Sequence, residues 1–152
     1  MTDLDLPQTP GTYVLVLLLP VRVLIEVGAL GRREFQRGIY LYTGSALGPG
    51  GLRARIGRHL HSRKKLHWHI DYLLPQDRTR EVWMLPSSRA VEHRVAHRLR
   101  EHPLTTFPVP GFGSSDCSCA AHLIYSACFD SPSTLFRSLQ SGREAGWVRC
   151  QL

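Results

Sequence analysis

The sequence predicts a mixed α/β (α+β) fold, a small and mostly antiparallel sheet with helices packed against it. Short apolar runs bounded by Gly and Pro fill the first third of the 152 residues. From residue 52 onward apolar residues recur at helical spacing, and two further strand-like runs follow. An apolar fraction of 43% with 20% charged residues is enough for one core and excludes a disordered chain. No apolar run approaches the roughly eighteen residues of a membrane-spanning helix. With no targeting pattern at its start, the chain is expected in the cytoplasm.

Residues 1–10 mix acids and prolines without periodicity and are expected to be a flexible leader. A domain over 11–130 and a short C-terminal helix and tail over 131–152 complete the expected organisation. Gly11 opens an apolar run, 13–19, that predicts a core strand ended by Pro20. Val23, Ile25 and Val27 alternate with Leu24 and Glu26 as a second strand, and Gly28 and Gly31 mark a turn. Phe35-Gln36-Arg37 is a short edge strand, and Gly38 leads into a fourth strand, Ile39-Tyr40-Leu41-Tyr42. After the turn Gly48-Pro49-Gly50-Gly51, the stripe Leu52, Ile56, Leu60 predicts a helix. Leu66, Ile70, Leu73 and Leu74 suit a second helix, preferred here although Leu66, Trp68, Ile70 and Tyr72 also alternate as in a strand. Residues 81–85 predict a strand, and Ser87 or Ser88 can cap a helix with the stripe Val91, Val95, Leu99. Three prolines and Gly111-Phe112-Gly113 make 102–122 a long ordered loop. Residues 123–128 are the expected last strand, and Ser131-Pro132 opens the terminal helix.

Nineteen Lys+Arg against twelve Asp+Glu leave a net charge of +7, and seventeen of the nineteen are Arg. Guanidinium groups bind phosphate through a planar fork, so a nucleic-acid partner is expected; a codon bias toward Arg is the alternative. Arg53, Arg58, Arg63, Lys64 and Lys65 are the candidate phosphate contacts. The four cysteines, all after residue 116, contain no CxxC pair. They are expected to be reduced and metal-free, because structural zinc sites prefer C-x₂₋₄-C and four ligands.

Two tripeptides stand out: Gly11-Thr12-Tyr13 opening the first strand and Tyr42-Thr43-Gly44 closing the fourth. Ten residues after Tyr42 comes the basic helix 52–59, and Glu92 sits on a later helix. On these residues the sequence resembles the GIY-YIG nuclease superfamily, whose pattern is GxY, YxG, an Arg on the first helix and a Glu on a later one. The segments 38–46, 65–72 and 111–117 (GIYLYTGSA, KLHWHIDY, GFGSSDC) look like a small branch of it, and the resemblance spans about 11–128. It implies a metal-dependent endonuclease fold with an inserted hairpin at 21–37. It further implies that Tyr13 and Tyr42 are the signature tyrosines, Arg55 the catalytic arginine and Glu92 the single ligand of Mg²⁺ or Mn²⁺. The chain departs from the pattern at Ser45, where many relatives carry Lys, and at 111–116, where many carry Pro-x-Tyr-Asn.

Those residue types suit phosphodiester hydrolysis, which needs an activated water and positive charge for the phosphoryl oxygens. A free tyrosine, with a pKa of about 10, is a poor base unless neighbouring cations lower it. Sequence leaves open which of the two tyrosines takes the proton. Arg55, Arg58 and His59, with Ser62 one turn on, form a polar stripe beside the apolar one, which adds His59 to the candidate catalytic groups. Glu92 has Ala96 four residues on and hence no ion-pair partner there. His67, His69 and Asp71 resemble a metal cluster, but buried hydrogen-bonded groups are the commoner outcome; on a helix Asp71 would orient the His67 imidazole at the rim of the site. Cys117, Cys119 and His122 are a weaker zinc candidate. The expected function is metal-dependent cleavage of DNA, possible in repair or processing; a non-cleaving nucleic-acid- or partner-binding module of the same fold is the alternative.

Overall fold

The computed structural model describes residues 5–78, 81–114 and 119–152. Its centre is β1 (Gly11–Leu19), flanked antiparallel by β4 (Gly38–Ala46) and β5 (Glu81–Pro86). β6 (Leu123–Ser126) pairs with β4 and β7 (Val148–Gln151) with β5, also antiparallel, giving the order β6-β4-β1-β5-β7. Tyr13, Leu15 and Leu17 enter one core with Leu52 and Ile56 of α1 (Gly51–Leu60) and with Ile70 and Leu73 of α2 (His69–Leu73). Val14 and Val16 enter a second core with Val95 and Leu99 of α3 (Glu92–Arg100) and Leu135 and Leu139 of α4 (Ser131–Gln140). Burial on both faces explains why this run is apolar at every position and does not alternate. Each fully buried aliphatic side chain contributes about 1.5–3 kcal/mol.

The expected hairpin lies between the two tyrosine motifs, as β2 (Val23–Glu26) and β3 (Arg32–Phe35). It forms its own two-stranded sheet, so the first third of the chain is not one sheet. β3 ends at Phe35, where the expected edge strand began, because that ring is drawn into the α1/α2 core beside Tyr40 and Phe112.

Four further expectations are corrected. Residues 5–10 are not a loose leader: Leu6 is buried, and the carbonyls of Thr9 and Pro7 accept the N–H groups of Leu52 and Arg53, both at 2.9 Å. These are donors of the first turn of α1 that its own helix cannot satisfy. The close approach requires Gly51, at φ +58°, where a Cβ would come within 2.2 Å of the Gln8 carbonyl. The second helix is shorter than the stripe 66–74. It begins at His69, and Pro75 turns its end into a 3-10 turn, Leu74–Gln76. Neither Ser87 nor Ser88 caps α3, which starts at Glu92; Ser87 Oγ instead accepts the Arg89 N–H at 3.1 Å in a local turn. Residues 123–128 are not the last strand, since the tail returns as β7, tied to β5 by a hydrogen bond from Arg149 to Glu81. Its sequence, Val148-Arg149-Cys150-Gln151, has too little apolar content to mark an edge strand. Among the described residues, no helix is long and apolar enough to cross a membrane.

One buried carboxylate joins α1 to α2. Asp71, with no exposed side-chain surface, accepts two guanidinium bonds from Arg58, at 3.1 and 3.0 Å. It also accepts the N–H groups of His67 and Trp68, at 2.9 and 3.0 Å. Burial raises the pKa of this carboxyl, but the Arg58 bonds, the two backbone N–H groups and the Arg58 charge outweigh it and hold the pKa below its ordinary value. A depressed pKa means that the stabilisation is complete above the unfolded value of about 4 and is lost as pH falls through the folded one. Asp71→Asn should therefore flatten the acid limb of the stability profile. At neutral pH it should cost about 2–3 kcal/mol, because Arg58 keeps partial access to water. Urea unfolding of both proteins across the acid range is the check, and equal midpoints at neutral pH would remove Asp71 as the link between the helices.

Candidate active site

Tyr13 and Tyr42 project from the same face of adjacent strands, offset diagonally because Tyr13 pairs with Gly44 and Tyr42 with Leu15. Gly44 makes room for the first tyrosine: a Cβ there would lie 2.3 Å from the Tyr13 hydroxyl oxygen. α1 and α3 cover opposite faces of the sheet, yet Arg55 of α1 and Glu92 at the start of α3 meet in one cleft. That cleft, of about 300 Å³, is lined by Tyr13, Tyr42, Arg55, Glu92, Trp68 and the β4 backbone around Gly44. Four of the five residues expected to be catalytic thus share one cavity.

His59 does not reach it. The ring is buried behind Tyr13, with Nε2 at 2.6 Å from the tyrosine hydroxyl and Nδ1 at 4.0 Å from Asp71 Oδ1. Burial, opposed by Asp71 and helped by the charges of Lys64, Arg58 and Arg55, pushes its pKa down to about 3. The imidazole is therefore neutral and can accept the Tyr13 O–H proton, which leaves Nδ1–H facing the Asp71 carboxylate. His59 therefore meets the cleft only through Tyr13.

Both tyrosines titrate above their ordinary range. For Tyr13, burial and neighbouring Tyr42 raise the pKa and Arg55 lowers it. For Tyr42, burial dominates, and the charges of Glu92 and Asp71 add to it against Arg55 and Arg58. Arg55 is the neighbouring cation that lowers both tyrosines, but desolvation is the larger effect, so in the protein alone neither is brought down toward neutral pH. Burial likewise raises the pKa of Glu92, against the opposing charges of His93 and Arg55. A carboxylate held at such a cost, with space before it, has the donor chemistry for one hard cation that keeps most of its waters.

Arg55 is steered by an aromatic residue that sequence did not single out. Its guanidinium lies 4.5 Å from the Trp68 ring centroid, and that of Arg58 lies 4.0 Å away. With Asp71 and the Lys65 carbonyl also bound, Arg58 is committed within the protein and is no free phosphate contact. Lys64 donates to the carbonyls of His59 and His61 at the end of α1. Arg53 donates to the Leu6 carbonyl at 2.8 Å and lies 3.7 Å from Asp5. Arg63 and Lys65 are exposed, and their side chains form no ion pair among the described residues.

His67, His69 and Asp71 do not form a metal cluster. The His67 ring packs on Trp68, with centroids 5.1 Å apart, and is not oriented by Asp71. His69 Nδ1 accepts the Gly113 N–H at 2.8 Å, which pins the loop 102–122 beside the cleft. A different cluster does occur: His93, Cys119 and His122 bring one donor atom each within 4.8 Å of the others. Cys117, Ser115 and Asp116 lie outside the described residues. His93 and His122 also line the cleft. Neither was legible as a partner of the other, since 29 positions of chain separate them.

No curated protein and no solved structure matches the chain. Residues 12–144, a span that holds the whole cleft from Tyr13 to His122, match the family described as Domain of unknown function DUF123, and the chain belongs to that family.

Proposed function

We propose that the protein is a metal-dependent endonuclease that hydrolyses phosphodiester bonds of DNA in the cytoplasm, in the manner of the GIY-YIG superfamily it resembles. The observation that carries this reading is the convergence of Tyr13, Tyr42, Arg55 and Glu92 on one cleft from opposite faces of the sheet. Glu92 would hold Mg²⁺ or Mn²⁺, and when bound that ion supplies positive charge for the phosphoryl oxygens. Arg55, braced by Trp68, offers a second positive group to the same oxygens.

Tyr13 is the better placed of the two tyrosines to take a proton from water, because His59 stands behind it to receive its own. As the attacking water gives its proton to the Tyr13 oxygen, the hydroxyl proton passes to His59 Nε2 along the existing 2.6 Å hydrogen bond. Burial disfavours the resulting imidazolium, and the Asp71 carboxylate that it faces is the influence that favours it; no tyrosinate has to form. The raised pKa of both tyrosines favours one second reading, a module of the same fold that binds DNA without cutting it.

Plasmid and branched oligonucleotides incubated with Mg²⁺, Mn²⁺ or EDTA separate these readings. Cleavage that EDTA abolishes supports the enzyme, and binding without cleavage under any metal supports the module. In the enzyme, Glu92→Gln and Arg55→Ala should each lower cleavage by about 10²-fold or more while DNA binding persists. Tyr13→Phe should do the same and Tyr42→Phe less; the reverse order would reassign the base to Tyr42. His59→Gln should shift the pH profile of cleavage as well as its rate.

DNA binding should depend steeply on salt, because the free basic side chains reach phosphates and not bases. Arg63→Ala with Lys65→Ala should weaken binding to all sequences alike and flatten the slope. Lys64→Ala should act mainly by loosening the end of α1. Affinity unchanged between about 50 and 200 mM salt would rule out phosphate contacts as its basis.

A further inference from the structure

We propose that His93, Cys119 and His122 form a zinc site on the wall of the cleft, beside Glu92 but without it as a ligand, and independent of whether the protein cuts DNA. Three elements supply it: His93 from the first turn of α3, Cys119 from the loop 102–122, and His122 from the residue before β6. His93 Nδ1 already lies 3.0 Å from Cys119 Sγ, and all three donor atoms lie within 4.8 Å of one another. Zinc bonds of about 2.0–2.3 Å require donors roughly 3.3–3.7 Å apart in a tetrahedron. A small rotation of the side chains meets that spacing.

The remaining ring nitrogens are disposed as in zinc sites. A zinc-bound imidazole usually has its other nitrogen facing a backbone carbonyl or a carboxylate, which sets its tautomer and orientation. His122 Nδ1 is 3.4 Å from the Thr43 carbonyl, so Nε2 would be its ligand atom. His93 Nε2 is 3.7 Å from Glu92 Oε1, which leaves Nδ1 for the metal. One thiolate with two imidazoles selects a borderline-soft ion such as Zn²⁺ over Mg²⁺ or Ca²⁺, which prefer oxygen donors.

The loop is built to present these groups. Gly111 N–H donates to the Ala120 carbonyl and His122 N–H to the Phe112 carbonyl, both at 2.8 Å, closing the loop on itself. Thr43 N–H then donates to the His122 carbonyl at 3.0 Å, anchoring the loop to β4. A bound ion would clamp this loop to the helix that begins with Glu92 and so stiffen one wall of the cleft. Three protein ligands leave a fourth position for water, as in zinc sites that bind a small oxygen ligand.

The test is elemental analysis of the full-length protein purified without chelator, together with titration of the metal-stripped protein with Co²⁺. One zinc per chain and a thiolate-to-cobalt charge-transfer band are expected. Cys119→Ser should abolish the band and the zinc, whereas Cys128→Ser and Cys150→Ser should keep both. His93 is exposed at the start of a helix, so His93→Ala should lose the metal with its circular dichroism unchanged, which separates ligand loss from unfolding. A protein that neither carries zinc nor develops the band overturns the proposal. So does zinc retained in both Cys119→Ser and His93→Ala. No DNA is present in these measurements, so a failure here leaves the nuclease reading untouched. Because Glu92 faces His93, cleavage lost in Glu92→Gln is compared with the zinc content of that variant, and lost cleavage with zinc retained separates the two sites.

Discussion

A single buried carboxylate, Asp71, organises one whole side of the cleft. It can remain ionised out of water only because Arg58 and two backbone N–H groups surround it. Those bonds draw α2 onto α1 and hold Trp68 against the helix. Trp68 in turn takes the guanidinium of Arg55 on its ring, and the carboxylate faces His59, which holds the Tyr13 hydroxyl. The positions of Arg55 and Tyr13 thus trace back to one charge with no other place to be satisfied.

The opposite side of the cleft depends on the sheet. β1 is buried on both faces, so helices must cover both, and α1 and α3 end on different sides of the same strands. Arg55, midway along α1, and Glu92, at the start of α3, meet where β4 passes Gly44, whose missing side chain leaves space for the Tyr13 hydroxyl. The loop 102–122 completes the wall through Gly113, held by His69, and through His122, held by Thr43. The cleft is therefore a seam between two cores, with no single element contributing most of it.

Burial governs the electrostatics of this seam. It raises Tyr13, Tyr42 and Glu92 and lowers His59, and in each case it is the largest influence. The four shifts share a direction in charge: each group is driven toward its neutral form, opposed by Arg55 at the two tyrosines and by His93 and Arg55 at Glu92. Positive charge beside Glu92 would offset this burial, and an imidazolium formed at His59 would depend on the Asp71 carboxylate that it faces.

Periodicity and punctuation in the sequence were sufficient for the class of fold, for β1, β4, β5 and β6, for α1, α3 and α4, and for the hairpin between the tyrosine motifs. These are local properties: a two-sided apolar run, a four-residue stripe or a glycine turn is written in adjacent residues. The resemblance carried by the two tyrosine tripeptides, Arg55 and Glu92 also marked residues that share the cleft. Local pattern could not place β7, whose polar sequence is a strand only because β5 offers an open edge. Nor could it show that Arg58 and Lys64 are spent inside the protein, since a committed and a free guanidinium read alike. Only the tertiary structure decided that His59 lies behind Tyr13 and faces Asp71, and that His93 meets Cys119 and His122. Those contacts join distant segments across a sheet, and their geometry is set by packing that no short window of sequence contains.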